Sequence, residues 1–359
     1  MKAEFLIIGG GVIGLACAQS LLLSGHRVTL VERGSIGQEA SWAGGGILSP
    51  LCPWDYKEAV TKLALRGMKM FKESAEMLLA ATGIDPEYQC SGMLLLPPFQ
   101  QERAGQWCTL HNVALRQVNL SDHLATQLGR PYQGNGLLLP GIAQVRNPRL
   151  LQALSQHVRM LGGTILEHHT MQEFELTGDC ISGLRTTHGK FAADAYIVAA
   201  GAWSKALLGE HALGVDIRPI KGQILLFKFD APPFRNILLK ENLYFIPRRD
   251  GHVLVGSTLE DVGYDKSVTE EARDSMLNRV RDLFPGWHDR EPVKQWAGFR
   301  PGSPDNIPVI GRHPRLTNLY INSGHFRYGV TMSLASAELL SNEIEGRTQP
   351  IPVEEYRWH

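Results

Sequence analysis

Phe5-Leu6-Ile7-Ile8-Gly9-Gly10-Gly11-Val12-Ile13-Gly14, with Glu32 eighteen residues after the last glycine, is the stretch on which the reading of this chain turns. The apolar run Phe5 to Ile8 reads as a strand buried on both faces, as parallel sheets require. Gly9 permits a tight turn, Gly11 lets the backbone approach a pyrophosphate, and Gly14 allows a helix to pack close to the strand. Residues 12–23 read as that helix, and the amides of Val12 and Ile13 lie at the positive end of its dipole, where phosphates bind. Val28 to Val31 forms the next strand, and Glu32 at its end is placed to bond a ribose hydroxyl. A glycine-rich turn alone is a weak signal. Set between a strand and a helix, with an acid at the right distance, it implies an adenine dinucleotide.

The 359 residues are 43% hydrophobic and 20% charged, which suits a soluble globular protein of two domains. Lys plus Arg and Asp plus Glu both total 36, and this balance argues against a nucleic-acid or anionic-membrane partner. The N-terminal apolar run is too short for a signal peptide, and no stretch approaches the ~18 apolar residues of a membrane span. A cytoplasmic location is expected. The five cysteines are odd in number and include no C-x-x-C pair, as expected of reduced thiols. His168 and His169 would point to opposite sides of a strand, and no H-x-x-x-H pair falls on a plausible helix, so no metal site is expected.

Residues 55–82 carry a helical pattern through Ala59, Leu63, Met70, Met77 and Leu78. Ser91 to Leu96 reads as a strand stopped by Pro97-Pro98. Asn147-Pro148 opens another helix, with Asn147 as the expected N-cap, and Gly162-Gly163 ends it. Tyr196 to Val198 is a second buried strand, running into Ala199-Ala200-Gly201-Ala202-Trp203-Ser204. The region 217–299 is strand-rich, interrupted over 267–283 by an amphipathic helix with Ser267 as the expected cap. Leu319 to Ser323 forms a last strand and leads through Gly324 to Gly329 into a helix near Val330. Parallel-sheet pieces thus stand at the beginning, middle and end, with antiparallel-looking pieces between. That order implies a discontinuous dinucleotide domain into which a substrate domain is inserted.

In this order the pieces resemble the D-amino-acid-oxidase-like family of flavoproteins, and within it the glycine-oxidising branch associated with thiamine biosynthesis. The resemblance runs from Phe5 to about Glu343. It rests on the opening glycine loop, Ser41-Trp42-Ala43-Gly44-Gly45-Gly46-Ile47-Leu48, Leu243-Tyr244-Phe245-Ile246-Pro247-Arg248, Trp296-Ala297-Gly298-Phe299-Arg300-Pro301-Gly302 and Gly324-His325-Phe326-Arg327-Tyr328-Gly329. It implies an α/β fold: a Rossmann-like FAD-binding domain with an inserted α+β substrate domain built on an antiparallel sheet. The first would comprise residues 1–85, 141–215 and 300–359, the second 86–140 and 216–299. It also implies non-covalent FAD as cofactor. The small residues Ala43, Gly44, Gly45 and Gly46 would let backbone amides approach the flavin edge near N5 and O4. By resemblance, Arg33, Ser41, Ile47, Met171, Ala200, Gly201 and Trp203 join that site. So do Gly324, Arg327, Gly329, Val330 and Thr331, and the helix start near Val330 faces flavin O2.

A guanidinium at Arg300, between a strand and the Pro301-Gly302 turn, can take a carboxylate through two parallel hydrogen bonds. The resemblance assigns that role to Arg300, with Tyr244 as a second donor and Arg327 at the turn that meets the substrate amine. Tyr244 alternates with Phe245, so one of the two faces the cavity. His325 is expected to be structural, because amine oxidation by hydride transfer needs no protein base once the amine is neutral. The implied reaction passes a hydride from glycine, sarcosine, D-alanine or D-proline to flavin N5, with O2 as acceptor and hydrogen peroxide as product. No nucleic acid or membrane partner is implied, and a homo-oligomer, tetramer or dimer, is. Two alternatives stand beside it: a D-amino-acid dehydrogenase that feeds a quinone, and a non-catalytic flavin-binding subunit. A covalent flavin held by a cysteine in the last third of the chain is excluded, since no cysteine follows Cys180. Acid precipitation is therefore expected to release FAD into a yellow supernatant. Colour retained in the pellet would contradict it.

Overall fold

In the computed structural model, which describes residues 3–124 and 132–359, the strand Ala3–Ile8 lies inside a six-stranded sheet. Val28–Val31 and Ala193–Val198 flank it in parallel. Thr164–Leu166 and Leu319–Ser323 follow outward, also parallel, and Val309–Arg312 closes one edge antiparallel. Phe5 and Ile7 enter one hydrophobic core, while Leu6 and Ile8 enter another on the opposite face. Successive side chains of a strand point to opposite faces, so a strand covered on both sides has no position left for a polar residue. That is why this segment lacks alternation.

The first core is formed with the helices Val12–Leu23, Glu58–Thr82, Asn147–Met160 and Gly329–Ile344. Val12–Leu23 is buried over most of its circumference, including Leu15, Ala16, Cys17 and Ala18, because helices pack on it as well as the sheet. The opposite face is covered by an antiparallel meander, Met171–Thr177, Cys180–Thr186 and Gly189–Phe191, through Ile181 and Leu184.

The second large sheet has eight strands in the order Lys294–Gly302, Arg218–Lys228, His252–Gly256, Leu243–Pro247, Ile237–Lys240, Met93–Leu96, Asn135–Leu139 and Arg116–Asn119. Every pairing is antiparallel except that of Ile237–Lys240 with Met93–Leu96. One face, with Leu225, Phe227, Phe245 and Val255, packs on the helix Glu270–Leu283 and on Trp287. The other face carries Ile224, Tyr244 and Ile246. Alternation therefore assigns Phe245 to the core, 5.0 Å from Phe284, and turns Tyr244 the other way.

Several local expectations need correction. Asn147 is not an N-cap: the helix begins at Asn147 itself, and its buried Nδ2 donates to Ser41 O at 2.7 Å and Gly44 O at 3.0 Å. The amide nitrogen is thus turned to distant carbonyls, and Oδ1, the atom a cap would use, has no hydrogen-bond partner among the described residues. Ser267 does not cap the helix over 270–283; Thr269 does, its Oγ1 accepting from Ala272 N at 3.3 Å. Ser267 N instead donates to Asp265 Oδ1 at 2.9 Å. The helical pattern over 55–82 divides into a short 3-10 turn, Pro53–Asp55, and the helix Glu58–Thr82. The expected turn at Pro301-Gly302 is strand, and the expected boundary between residues 299 and 300 falls inside it, because pairing with Arg218–Lys228 continues to Gly302. Among the described residues, no helix is long and apolar enough to cross a membrane.

The closest steric constraint lies at Gly14, where a Cβ would stand 1.9 Å from Gly9 O. Gly14→Ala must push the helix off the strand. Overpacking of this kind costs roughly 1–3 kcal/mol, and the denaturation midpoint should fall accordingly. An unchanged midpoint would show that the contact is not constraining.

Candidate active site

The glycine loop follows the C-terminal end of Ala3–Ile8, where open α/β sheets bind ligands. The ends of three neighbouring strands bring Glu32 and Arg33, Ala200 to Trp203, and Arg327 to Val330 to the same cleft, of about 470 Å³. Gly9 has φ +115°, and a Cβ there would lie 2.4 Å from Ala199 O, so only glycine fits. Val12 N donates to Ser41 Oγ at 2.9 Å. The first turn of Val12–Leu23 carries no acidic side chain, so its positive end is left without an anion. Glu32 accepts from Gly10 N at 2.7 Å and Gly34 N at 2.9 Å, which braces the loop while each oxygen keeps a second lone pair facing the cleft. Arg33 lies 3.6 Å over the Trp203 ring, which also meets Tyr264, stacked at 5.5 Å, and Phe299, edge-on at 5.9 Å.

At the far end of the cleft the eight-stranded sheet provides a floor of glycines. Gly298, Gly222 and Gly256 lie on adjacent strands and the same face. Long side chains from either side lie across them. A Cβ on Gly222 would be 2.1 Å from an Arg300 guanidinium nitrogen, and one on Gly256 would be 2.8 Å from Tyr244 Oη. Arg300 donates to Lys221 O at 3.2 Å and Ser257 Oγ at 2.6 Å. These two bonds leave three of its five N–H donors. Among the described residues it has no carboxylate within ion-pair distance, although burial holds its pKa below the usual guanidinium range. Tyr244 Oη has no hydrogen-bond partner among the described residues either. Such a guanidinium and hydroxyl over one floor have the donors to take an anion.

The FAD dependent oxidoreductase family matches residues 4–343. The chain belongs to that family. It is 42% identical over 354 residues to a glycine oxidase of Pseudomonas aeruginosa, covering 98% of this chain and 97% of that protein. A glycine oxidase of Pseudomonas putida is 38% identical, with 98% and 96% covered. The crystal structure of glycine oxidase from Geobacillus kaustophilus superposes with a TM-score of 0.92 at 26% identity, over 100% of this chain and 98% of that one. The chain is thus an FAD-dependent enzyme, and the residues present fit the cofactor. The bare helix terminus suits the pyrophosphate, and the glycine cradle would be filled by any Cβ.

In this FAD dependent oxidoreductase most of the residues expected from sequence line the cleft, among them Arg300, Tyr244, Arg327, Met171, Ser41 and Gly44. Three do not. Gly14 packs against Gly9, Gly324 adopts φ +90° and accepts from Ser303 Oγ at 2.6 Å, and buried Thr331 donates to Ile47 O at 3.0 Å. They shape the wall from behind. Sequence reasoning missed Gly222, Ser257 and Asn147, which line the cleft, and Tyr328, whose hydroxyl donates to that of Tyr56. For Asn147 the local signal of Asn-Pro pointed to a cap; for the others no local signal exists.

His325 is buried, and its Nε2 lies 3.1 Å from Ser336 Oγ. Ser336 donates its one hydroxyl proton to Met332 O at 2.9 Å, so His325 must be the donor and its Nδ1 bears no proton. Burial pushes its pKa down to about 3 from the usual 6.5. Between those values the unfolded chain binds a proton that the folded chain refuses, so stability is full above 6.5 and falls as pH drops through this window. The denaturation midpoint of His325→Asn is expected to fall less steeply than that of the wild type between pH 6.5 and 4. Equal slopes would contradict the assignment.

Proposed function

We propose that the chain catalyses the oxidative deamination of glycine and small amines or D-amino acids, such as sarcosine, D-alanine and D-proline. The amine, O2 and water become the 2-oxo acid, ammonia or a primary amine, and hydrogen peroxide. The observation that carries this reading is the half-buried Arg300 guanidinium, with no carboxylate within ion-pair distance among the described residues, beside the Tyr244 hydroxyl, also unpartnered among them. A substrate carboxylate supplies the missing charge.

Arg300 takes that carboxylate through two of its free donors, and Tyr244 adds a third bond. Lys221 O and Ser257 Oγ hold the guanidinium from behind, so its plane is set before substrate arrives. FAD, when bound, supplies the hydride acceptor. The turn at His325 to Tyr328 offers backbone carbonyls to the amine and thereby fixes the direction of the α-C–H. His325, neutral and committed to Ser336, neither takes nor gives the amine proton. With carboxylate, amine and hydride directions all set, one direction remains for a side chain, and glycine satisfies either hand. The names of the relatives, glycine oxidases covering nearly the whole chain, support this substrate class.

Arg300→Lys keeps the charge but loses the planar fork, and one charge-assisted hydrogen bond is worth roughly 1.5–3 kcal/mol. For glycine, kcat/KM is expected to fall about ten- to a hundredfold, and further in Arg300→Ala, with FAD content unchanged. Gly222→Ala should raise KM in the same direction by displacing the guanidinium, and Tyr244→Phe should be milder. Peroxide release across a glycine series measures all four. A near-normal KM in Arg300→Ala would overturn the binding mode.

A further inference from the structure

Four consecutive carbonyls of the loop Ala43 to Gly46 are each held by a separate donor. Trp296 Nε1 donates to Ala43 O at 3.0 Å, Asn147 Nδ2 to Gly44 O at 3.0 Å, Arg248 to Gly45 O at 2.7 Å, and Val145 N to Gly46 O at 2.9 Å. These donors come from three places in the chain, Val145 and Asn147 on one stretch, Arg248 and Trp296, outside the glycine loop itself. Adjacent carbonyls of a short loop ordinarily face water or the ligand. Here all of them are drawn into the protein. The N–H groups of Gly45 and Gly46 have no acceptor among the described residues, and both residues line the cleft.

Arg248 is the unusual member of the set. It is 5% exposed, and its other guanidinium nitrogen donates to Gln144 Oε1 and Val145 O, both at 2.8 Å. Among the described residues no carboxylate pairs with it, because the nearby acids Glu87 and Asp250 are taken by Arg146. Burial lowers its pKa to about 10, so the charge is retained at a cost. A buried cation that meets only neutral oxygens is a poor source of stability, since an apolar side chain would avoid the desolvation penalty. Its geometry, one nitrogen on the loop and one on the neighbouring strand, fits a different use.

We propose that Arg248, assisted by Asn147, is a positioning residue. It draws the Gly45 and Gly44 carbonyls away from the cleft, so that the Gly45 and Gly46 amides stand as fixed donors toward the redox edge of the bound flavin. Donors set in advance stabilise charge as it develops, without reorganisation during the reaction. The uncompensated guanidinium behind them adds a positive field of the same sign. This inference rests on the placement of the flavin edge against Ala43 to Gly46.

The test uses the holoenzyme with excess FAD and reads the dissociation constant of sulfite, the midpoint potential of the bound flavin and the thermal midpoint. Arg248→Met is expected to bind sulfite at least about tenfold more weakly, the loss of one fixed donor, and to shift the flavin potential negative. Arg248→Lys, which keeps charge but cannot span both partners, should fall between. Asn147→Leu, which leaves the charge untouched, should weaken sulfite binding with a smaller shift in potential. A purely structural role predicts a lower thermal midpoint with wild-type sulfite affinity and potential in the flavin that remains bound, and that result would overturn the proposal. Gly46→Ala separates the two possible failures, because its Cβ would lie 2.1 Å from Val145 O and must move the loop. Wild-type sulfite affinity in Gly46→Ala would place the flavin elsewhere and overturn both readings. A loss there with none in Arg248→Met would keep the placement and overturn the role of Arg248.

Discussion

The contact between Gly14 and Gly9 is the constraint on which the rest of this structure depends. With only hydrogen at Gly14, the helix Val12–Leu23 sits directly on the turn that leaves the strand Ala3–Ile8. That approach aims the helix N-terminus along the cleft and lets Ser41 Oγ reach Val12 N. It also brings the helix under Gly329–Ile344 and Asn147–Met160, which join it in one core. A helix N-terminus open to the cleft, a helix bundle and one wall of the cleft thus share a single steric origin.

The opposite wall follows from a second steric rule, carried by a sheet. Arg300 and Tyr244 stand on strands separated by two others, and antiparallel register puts both side chains on one face. Glycines at 222 and 256 leave the intervening surface bare, so a guanidinium and a phenol can lie across it. An arginine in the interior without a carboxylate is destabilising taken alone. Under the proposed function, the substrate and not the protein carries the matching carboxylate. The same logic separates Arg300 from Arg248: neither has an acid partner among the described residues, but half-buried Arg300 faces the cleft and buried Arg248 holds the loop beside it.

Much of the fold was legible in the sequence, and the reason is local. The strand Phe5 to Ile8, the glycine turn and the helix from Val12 are contiguous, and each states its conformation through residue type within one or two turns. Leu243–Pro247 and His252–Gly256 were visible for the same reason. The error at Asn147 arose where a residue suited to local capping has its amide turned to distant carbonyls, and at Ser267 the cap stands two residues later, at Thr269. Asn147 serves carbonyls more than 100 positions away, and no sequence window contains that competition.

Apart from the turn expected at Pro301-Gly302, which is strand to its end, the sequence by itself determined the dinucleotide turn and the helix and strand periods. These are properties of neighbours along the chain, and the resemblance to a flavoprotein family rested on such short runs. Only the tertiary structure decided that Tyr244 and not Phe245 faces the cleft, that three glycines on adjacent strands make its floor, and that no acid among the described residues pairs with Arg300. It also decided that four carbonyls of one loop are held from behind. Each of these depends on strand register and on which distant groups meet in space, and a linear sequence encodes that only through the packing of the whole chain.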